Sequence, residues 1–327
     1  MKLPKKFCFS NIPTPIHRLD AMNPDPTWAT LYIKRDDFTG FETSGNKVRR
    51  SDYYFYDAKE KGADVIITCG GLQSNHARAT ASVAALCALK CHLVLQGAEN
   101  TPSDGNFFLD LLFGAKITLL TPEEYENSRM EIMERIAENY RREGHVPYII
   151  PAGGSDGLGM FGYYDVYHEI LHQECKMGVT FDTICFADGS GGTYAGLYAA
   201  NELHCGGKHI VGFNVTGRKY AREKVLRILE EGAALASFPC RISDKNVYQN
   251  FKYLGDGYGI VYPELLKIIK RTARRTGIVV DPVYTGKSLL GTVSEIAKHN
   301  PRLRGNVLFI HTGGQFGIFP YKNLFYC

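Results

Sequence analysis

The chain has 327 residues and a formal net charge of +4, with 44% hydrophobic and 22% charged residues. That length can bury a large core and suits two domains, and the balance excludes disordered, fibrous and polyelectrolyte classes. The densest basic stretch, Arg271-Thr272-Ala273-Arg274-Arg275, reads as a solvated helix face, so no nucleic-acid partner is expected. Nine scattered cysteines read as reduced thiols; Cys87 and Cys91 are the nearest pair, and no second pair completes a zinc site. Residues 1–6 contain no apolar targeting core, and no run approaches the ~18 apolar residues of a membrane span. A cytoplasmic protein without a membrane partner is expected.

Short β-branched runs then alternate with longer helical patterns. A predicted strand at 31–34 leads to Ser44-Gly45-Asn46-Lys47, a small flexible turn that delivers a lysine at the start of a helix over 46–61. An amine so placed can reach into a cleft and form a Schiff base. Strand 64–69 runs into Gly70-Gly71-Leu72-Gln73-Ser74-Asn75-His76, which opens a helix over 74–89. Ser74 and Asn75 either cap that helix or offer their side chains to a ligand at its partly positive end. His76 reads as structural.

Strand 92–96, helix 104–113, strand 116–120, helix 122–143 and strand 147–150 follow, the last ending near Gly153-Gly154. A helix over 158–176 contains His168-Glu169-Ile170-Leu171-His172, a zinc-type spacing. Its neighbours pattern as an amphipathic surface helix and no third ligand follows, so no metal is expected. Strand 183–187 enters Asp188-Gly189-Ser190-Gly191-Gly192-Thr193 ahead of a helix over 192–204. Backbone N–H groups at such a start point at an anion, and glycines let it approach. A dinucleotide fingerprint fits poorly, because no acidic residue follows at ~20 residues in the required setting.

Strand 209–215 ends in Asn214-Val215-Thr216, a chance match to a glycosylation acceptor. After a helix over 219–231, Tyr258 and Tyr284 sit in turn-rich loops on either side of a helix over 261–276 and a strand at 278–280, placed to expose hydroxyls to a cleft. Gly286-Lys287-Ser288 is not a phosphate loop, since Asp281 stands where the leading glycine belongs. A helix over 286–299 and a strand at 307–310, followed by Gly313-Gly314, complete the pattern.

This alternation predicts an α/β protein of two domains, with open, mostly parallel twisted sheets covered by helices and a ligand in the crevice at the strand C-termini. Glycine runs after four strands, at 70–71, 153–154, 189–192 and 313–314, are expected to converge on one site.

The motifs at 13–15, 33–37, 44–47, 70–80, 150–155, 189–193, 257–259, 281–287 and 311–314 together resemble one family over nearly the whole chain. It is the D-cysteine desulfhydrase and 1-aminocyclopropane-1-carboxylate deaminase group of pyridoxal-phosphate enzymes, with the tryptophan-synthase-β-like fold (fold type II). The resemblance implies a large cofactor-binding domain of residues 1–45 with 156–327, a small α/β domain of 46–155, and a homodimer. It implies that Lys47 carries pyridoxal 5'-phosphate and serves as the proton-transfer base. Arg50 stands near the phosphate, where relatives often have lysine, and Gly189, Ser190, Gly191, Gly192 and Thr193 form its cradle. Asn75 would bond the ring 3′-oxygen and Thr312 would face the ring nitrogen. Gln73, Ser74 and Asn75 would line the substrate, with Ser74 holding its carboxylate or sharing in proton transfer, and Tyr258 and Tyr284 would flank it.

One position discriminates within the family. Ring-opening members resemble Asp-Pro-Val-Tyr-Glu-Gly-Lys, whereas this chain has Thr285 at the glutamate position. A hydroxyl there gives a weaker electron sink than a carboxylate, which suits β-elimination. The expected activity is therefore release of pyruvate, ammonia and sulfide from D-cysteine or a related β-substituted amino acid. The alternative is a ring-opening deaminase or a biosynthetic relative acting on another small amino acid. The run Val215-Thr216-Gly217-Arg218-Lys219-Tyr220 departs from the simplest members.

Overall fold

The computed structural model describes residues 2–204, 206–218, 221–239 and 246–326, so Lys219 and Tyr220 of the departing run lie outside the described residues. In chain order the elements are β1 (Ile16–Arg18), β2 (Ala29–Lys34), α1 (Asn46–Glu60), β3 (Val65–Gly71), α2 (Asn75–Leu86), β4 (Lys90–Gln96), α3 (Gly105–Leu112), β5 (Lys116–Leu120), α4 (Pro122–Arg142) and β6 (Pro147–Ile149). They continue with α5 (Phe161–Met177), β7 (Thr183–Asp188), α6 (Gly192–Leu203), β8 (His209–Asn214), α7 (Ala221–Ala236), β9 (Tyr248–Asn250), α8 (Pro263–Thr276), α9 (Thr285–Ala297) and β10 (Gly305–Ile310).

The strands form two sheets. One has the order β1-β2-β10-β7-β8-β9 and is parallel except for the β1–β2 pair; the other, β5-β4-β3-β6, is parallel throughout. Period-two alternation explains why their central strands are apolar end to end. On β7, Ile184 and Phe186 face the core built with α5, α6 and α7, while Cys185 faces the core built with α8 and α9. On β3, Ile66 faces α1, α2 and α3, while Val65, Ile67 and Cys69 face α4.

Each predicted helix forms. The predicted strand at 278–280 does not. Ile278 and Val280 are buried against α8 and α9, but Val279 O accepts from the His311 ring rather than from a neighbouring strand (2.9 Å). The three-residue edge strands β1 and β9 carry no sequence signal, and exist because β2 and β8 offer open edges.

The zinc-type spacing on α5 is a structural ion-pair centre. Glu169 accepts from Lys34 Nζ (2.6 Å) and Arg49 NH1 (2.9 Å), and Arg49 NH2 also reaches Asp36 (2.8 Å). Burial alone would raise the carboxyl pKa values of Asp36 and Glu169, but the Arg49 and Lys34 charges outweigh it and hold both below the usual range. Among the described residues, no helix is long and apolar enough to cross a membrane.

Candidate active site

A cleft of about 360 Å³ opens where the C-terminal ends of β3, β7 and β10 meet the segment after β6. Gly70 and Gly71, Gly153, Gly189 and Gly191, and Gly313 all line it, so the four glycine runs do converge. Lys47 arrives in the first turn of α1 because Gly45 allows a close crossing. Gly45 has φ +105°, and a Cβ there would lie 2.7 Å from Thr312 O. Asn46 N donates to that same carbonyl (3.0 Å), pinning the start of α1 to the end of β10.

The Lys47 ammonium nitrogen lies 2.9 Å from Gly153 O. Burial first, then the charges of Arg50 and Lys224, push its pKa well below the usual lysine value. A lysine that gives up its proton this readily suits nucleophilic and general-base work. Arg50 is buried one helical turn on. It donates to Gly153 O (2.6 Å) and Thr193 Oγ1 (2.7 Å) and contacts Ser155 and Ser190. Ser190, Gly191 and Thr193 bring the N-terminus of α6 to the cleft, with Gly191 at φ +89°. Cations beside a helix N-terminus make a seat for a multiply charged anion: Arg50 lines the cleft here, and so does Lys224, from the first turn of α7.

Ser74 caps α2 through its Oγ, which accepts from Ala77 N (3.1 Å), and it also lines the cleft. Asn75 lines the cleft beside it and accepts from Asn106 Nδ2 through Oδ1 (2.9 Å). His76 also reaches the lining, but its Nε2 is tied to Thr68 Oγ1 (2.9 Å) and burial keeps it neutral. Tyr258 and Tyr284 meet hydroxyl to hydroxyl across the cleft wall. Burial and the Tyr258 neighbour lift the Tyr284 pKa well above the usual phenol value, so it keeps its proton. Lys287 is buried and holds this wall, donating to Leu254 O and Gly257 O (both 2.7 Å) beside Tyr258.

Three predicted positions differ. Thr285 is fully buried and does not line the cleft. Its hydroxyl donates to Asp281 Oδ1 (2.6 Å), one of four donors from residues 283–285 that hold that carboxylate. One step along the first turn of α9 rotates the side chain by ~100°, turning Thr285 inward where Tyr284 faces the cleft. Gln73 likewise points away, with Nε2 on Asp104 O (2.9 Å) and Oε1 receiving Asn106 N (3.0 Å). Gly192 lies beneath the loop rather than on the cleft surface, where a Cβ would meet the Arg50 guanidinium carbon at 3.1 Å. Thr312, from the end of β10, does line the cleft.

Sequence reasoning missed Lys224, Arg218 and Glu126. Lys224 carries a pKa pushed down to about 8 by burial and by Arg218, Arg227 and Arg50. Arg218, after β8, approaches Glu126 of α4 across the mouth at 4.0 Å. Asp188 closes the end of β7 with Gln249 donating to it (2.5 Å), and burial raises it to about 6.

A family model described as "Pyridoxal-phosphate dependent enzyme" matches residues 9–313. A Thermotoga maritima protein provisionally named as a 1-aminocyclopropane-1-carboxylate deaminase is 40% identical over 310 residues, covering 94% of this chain and 95% of its own. A protein of Arabidopsis thaliana named "Bifunctional D-cysteine desulfhydrase/1-aminocyclopropane-1-carboxylate deaminase, mitochondrial" is 36% identical, over 96% of this chain and 79% of its own. The crystal structure of a protein described as an ACC deaminase homologue superposes with a TM-score of 0.90 at 35% identity, covering 99% of this chain and 96% of that one. With its parallel sheets, its lysine at the cleft and its glycine-floored anion seat, the chain belongs to the pyridoxal-phosphate-dependent enzyme family, within its 1-aminocyclopropane-1-carboxylate deaminase and D-cysteine desulfhydrase group.

Proposed function

We propose that the chain is a lyase that eliminates the β-substituent of a small amino acid, D-cysteine or a close relative, giving pyruvate, ammonia and, from cysteine, sulfide. The residues at the cleft fit the cofactor. The α6 N-terminus, with Gly189, Ser190, Gly191 and Thr193, and Arg50 beneath it would hold the phosphate; Asn75 would donate to the ring oxygen and Thr312 would stand at the ring nitrogen. When bound, pyridoxal phosphate supplies an electron sink for negative charge at Cα. The chain's own part is proton handling. Lys47, poised to be neutral, takes the Cα proton; Ser74 holds the substrate carboxylate; and the protonated Tyr258–Tyr284 pair shields the substrate and holds a proton beside the leaving group.

The observation that carries the choice of β-elimination is the character of the wall formed by residues 281–285 and 312. Asp281 is sequestered by donors from residues 283–285, Thr285 is turned into that shell, and Thr312 presents a hydroxyl to the cleft. Opening a ring that lacks an α-hydrogen demands a strong sink, which a carboxylate at the ring nitrogen would sustain; a hydroxyl suits a reaction begun by removing a Cα proton. The ring-opening reading is supported by the names of the relatives above. The division into residues 46–155 and the remainder is likewise our inference, supported by a four-stranded sheet drawn wholly from 65–149.

The test is a panel of D-cysteine, L-cysteine, β-chloroalanine, cysteate and 1-aminocyclopropane-1-carboxylate, with pyruvate, sulfide, ammonia and 2-oxobutanoate measured. Sulfide and pyruvate from D-cysteine are expected. Release of 2-oxobutanoate without sulfide would reject β-elimination in favour of ring opening. Lys47→Ala should lower turnover by on the order of 10³-fold or more.

A further inference from the structure

We propose that Asn106 is a positioning residue that decides which end of the Asn75 amide faces the cleft. The proposal rests on the reading that Asn75 meets the ring oxygen of the cofactor. Its basis is a hydrogen-bond chain whose polarity is fixed at both ends. At one end is Arg78, fully buried and able only to donate. Its Nε donates to Asn106 Oδ1 (2.9 Å), NH2 donates to Ser44 O (2.6 Å), and NH1 contacts Glu42 O. At the other end is the backbone carbonyl of Gln73, which can only accept.

Asn106 is fully buried between them. With Oδ1 committed to Arg78, its NH2 donates to Gln73 O (3.0 Å) and Asn75 Oδ1 (2.9 Å). Turning the Asn106 amide over would set its NH2 against a guanidinium and its oxygen against a carbonyl, so only one orientation satisfies both neighbours. Asn75 must then face Asn106 with its oxygen, which leaves its own NH2 for the cleft. A donor at that point favours a negatively charged ring oxygen over a protonated one. Gln73, which the sequence placed on the substrate, holds the backbone of this device by accepting from Asn106 N (3.0 Å) and donating to Asp104 O (2.9 Å).

Asn106→Asp discriminates a positioning role from a merely structural one. The carboxylate keeps a partner for Arg78 but removes the donor to both Gln73 O and Asn75 Oδ1, and Asn75 then turns its NH2 inward and presents its oxygen to the cleft. Pyridoxal phosphate is titrated into the apo forms of the wild type, Asn106→Asp, Asn75→Ala and the double variant, and followed by visible absorbance and thermal melting. Asn106→Asp should raise the dissociation constant roughly tenfold and change the absorbance of the bound cofactor, while the double variant binds no more weakly than Asn75→Ala alone. Wild-type affinity and absorbance in Asn106→Asp, or penalties that add in the double variant, would overturn the proposal. Wild-type affinity in Asn75→Ala would instead reject the Asn75 reading, and the proposal with it, by a different result. Asn106→Ala is measured in parallel. If neither 106 variant gives a cooperative melt, Asn106 holds the fold rather than the amide and the proposal is overturned.

Discussion

Lys47 holds its proton loosely first because it is buried and then because of two cations that the sequence places far apart, Arg50 one helical turn away and Lys224 on α7. Removing one of them lets Lys47 keep its proton to higher pH. In Lys224→Gln, the acid limb of cofactor uptake by the apo protein should move to higher pH, read from the rate of absorbance gain against pH. The Thr285 and Thr312 pair shows what residue identity alone can tell. The substitution of a hydroxyl for a carboxylate was legible at 285, but its direction was not, because one step on a helix start separates the cleft from the Asp281 shell. Thr285→Val should therefore cost about 1–3 kcal/mol of stability, by leaving the buried Asp281 short of a donor, with little change in kcat. Thr312→Val should lower kcat with little loss of stability. Urea unfolding and steady-state kinetics on both variants separate the two sites.

The elements were the most legible layer, because helices of twelve or more residues carry a strong periodicity, and strands covered on both faces stand out as short β-branched apolar runs bounded by turn residues. The buried run at 278–280 has the composition of a strand without a partner edge, so composition misled. At α4 the local code is complete. Thr121 and Glu124 form a reciprocal capping box, with Glu124 N bonded to Thr121 Oγ1 (3.3 Å) and Thr121 N to Glu124 Oε2 (2.9 Å). Thr121→Ala should cost about 1 kcal/mol, measurable as a fall in urea midpoint, and should loosen the helix that carries Tyr125 and Glu126 to the cleft. The contact of α5 with α6 depends on Gly196, where a Cβ would lie 2.2 Å from Met160 O. Gly196→Ala should destabilise the protein by about 3 kcal/mol, even though alanine is the better helix former in isolation.

Across the whole molecule, tertiary packing brings together what spacing could not reveal. Asn106, Lys224 and Glu126 reach the cleft region from three helices with no motif of their own, whereas the glycine runs were legible because each ends a strand. The buried centre of Lys34, Asp36, Arg49 and Glu169 joins β2, α1 and α5. Its carboxylates have folded pKa values below their unfolded ones, so their contribution is fully present above the unfolded carboxylate range and is lost as pH falls through the folded values. Glu169→Gln should cost about 3 kcal/mol at neutral pH and flatten the acid side of a melting temperature against pH curve.

The Arg218–Glu126 pair across the cleft mouth has a consequence for traffic. Both side chains are more than half exposed, at 54% and 62%, and Arg129, one turn along α4, stands 3.7 Å from the other Glu126 oxygen. Such a pair is worth about 0–1 kcal/mol and weakens with salt, and Glu126 keeps a partner when it parts. It ties the mouth only weakly. Added electrolyte then acts on passage through the mouth rather than on bond breaking: kcat should rise with ionic strength where product escape limits the cycle, and stay level where removal of the Cα proton does.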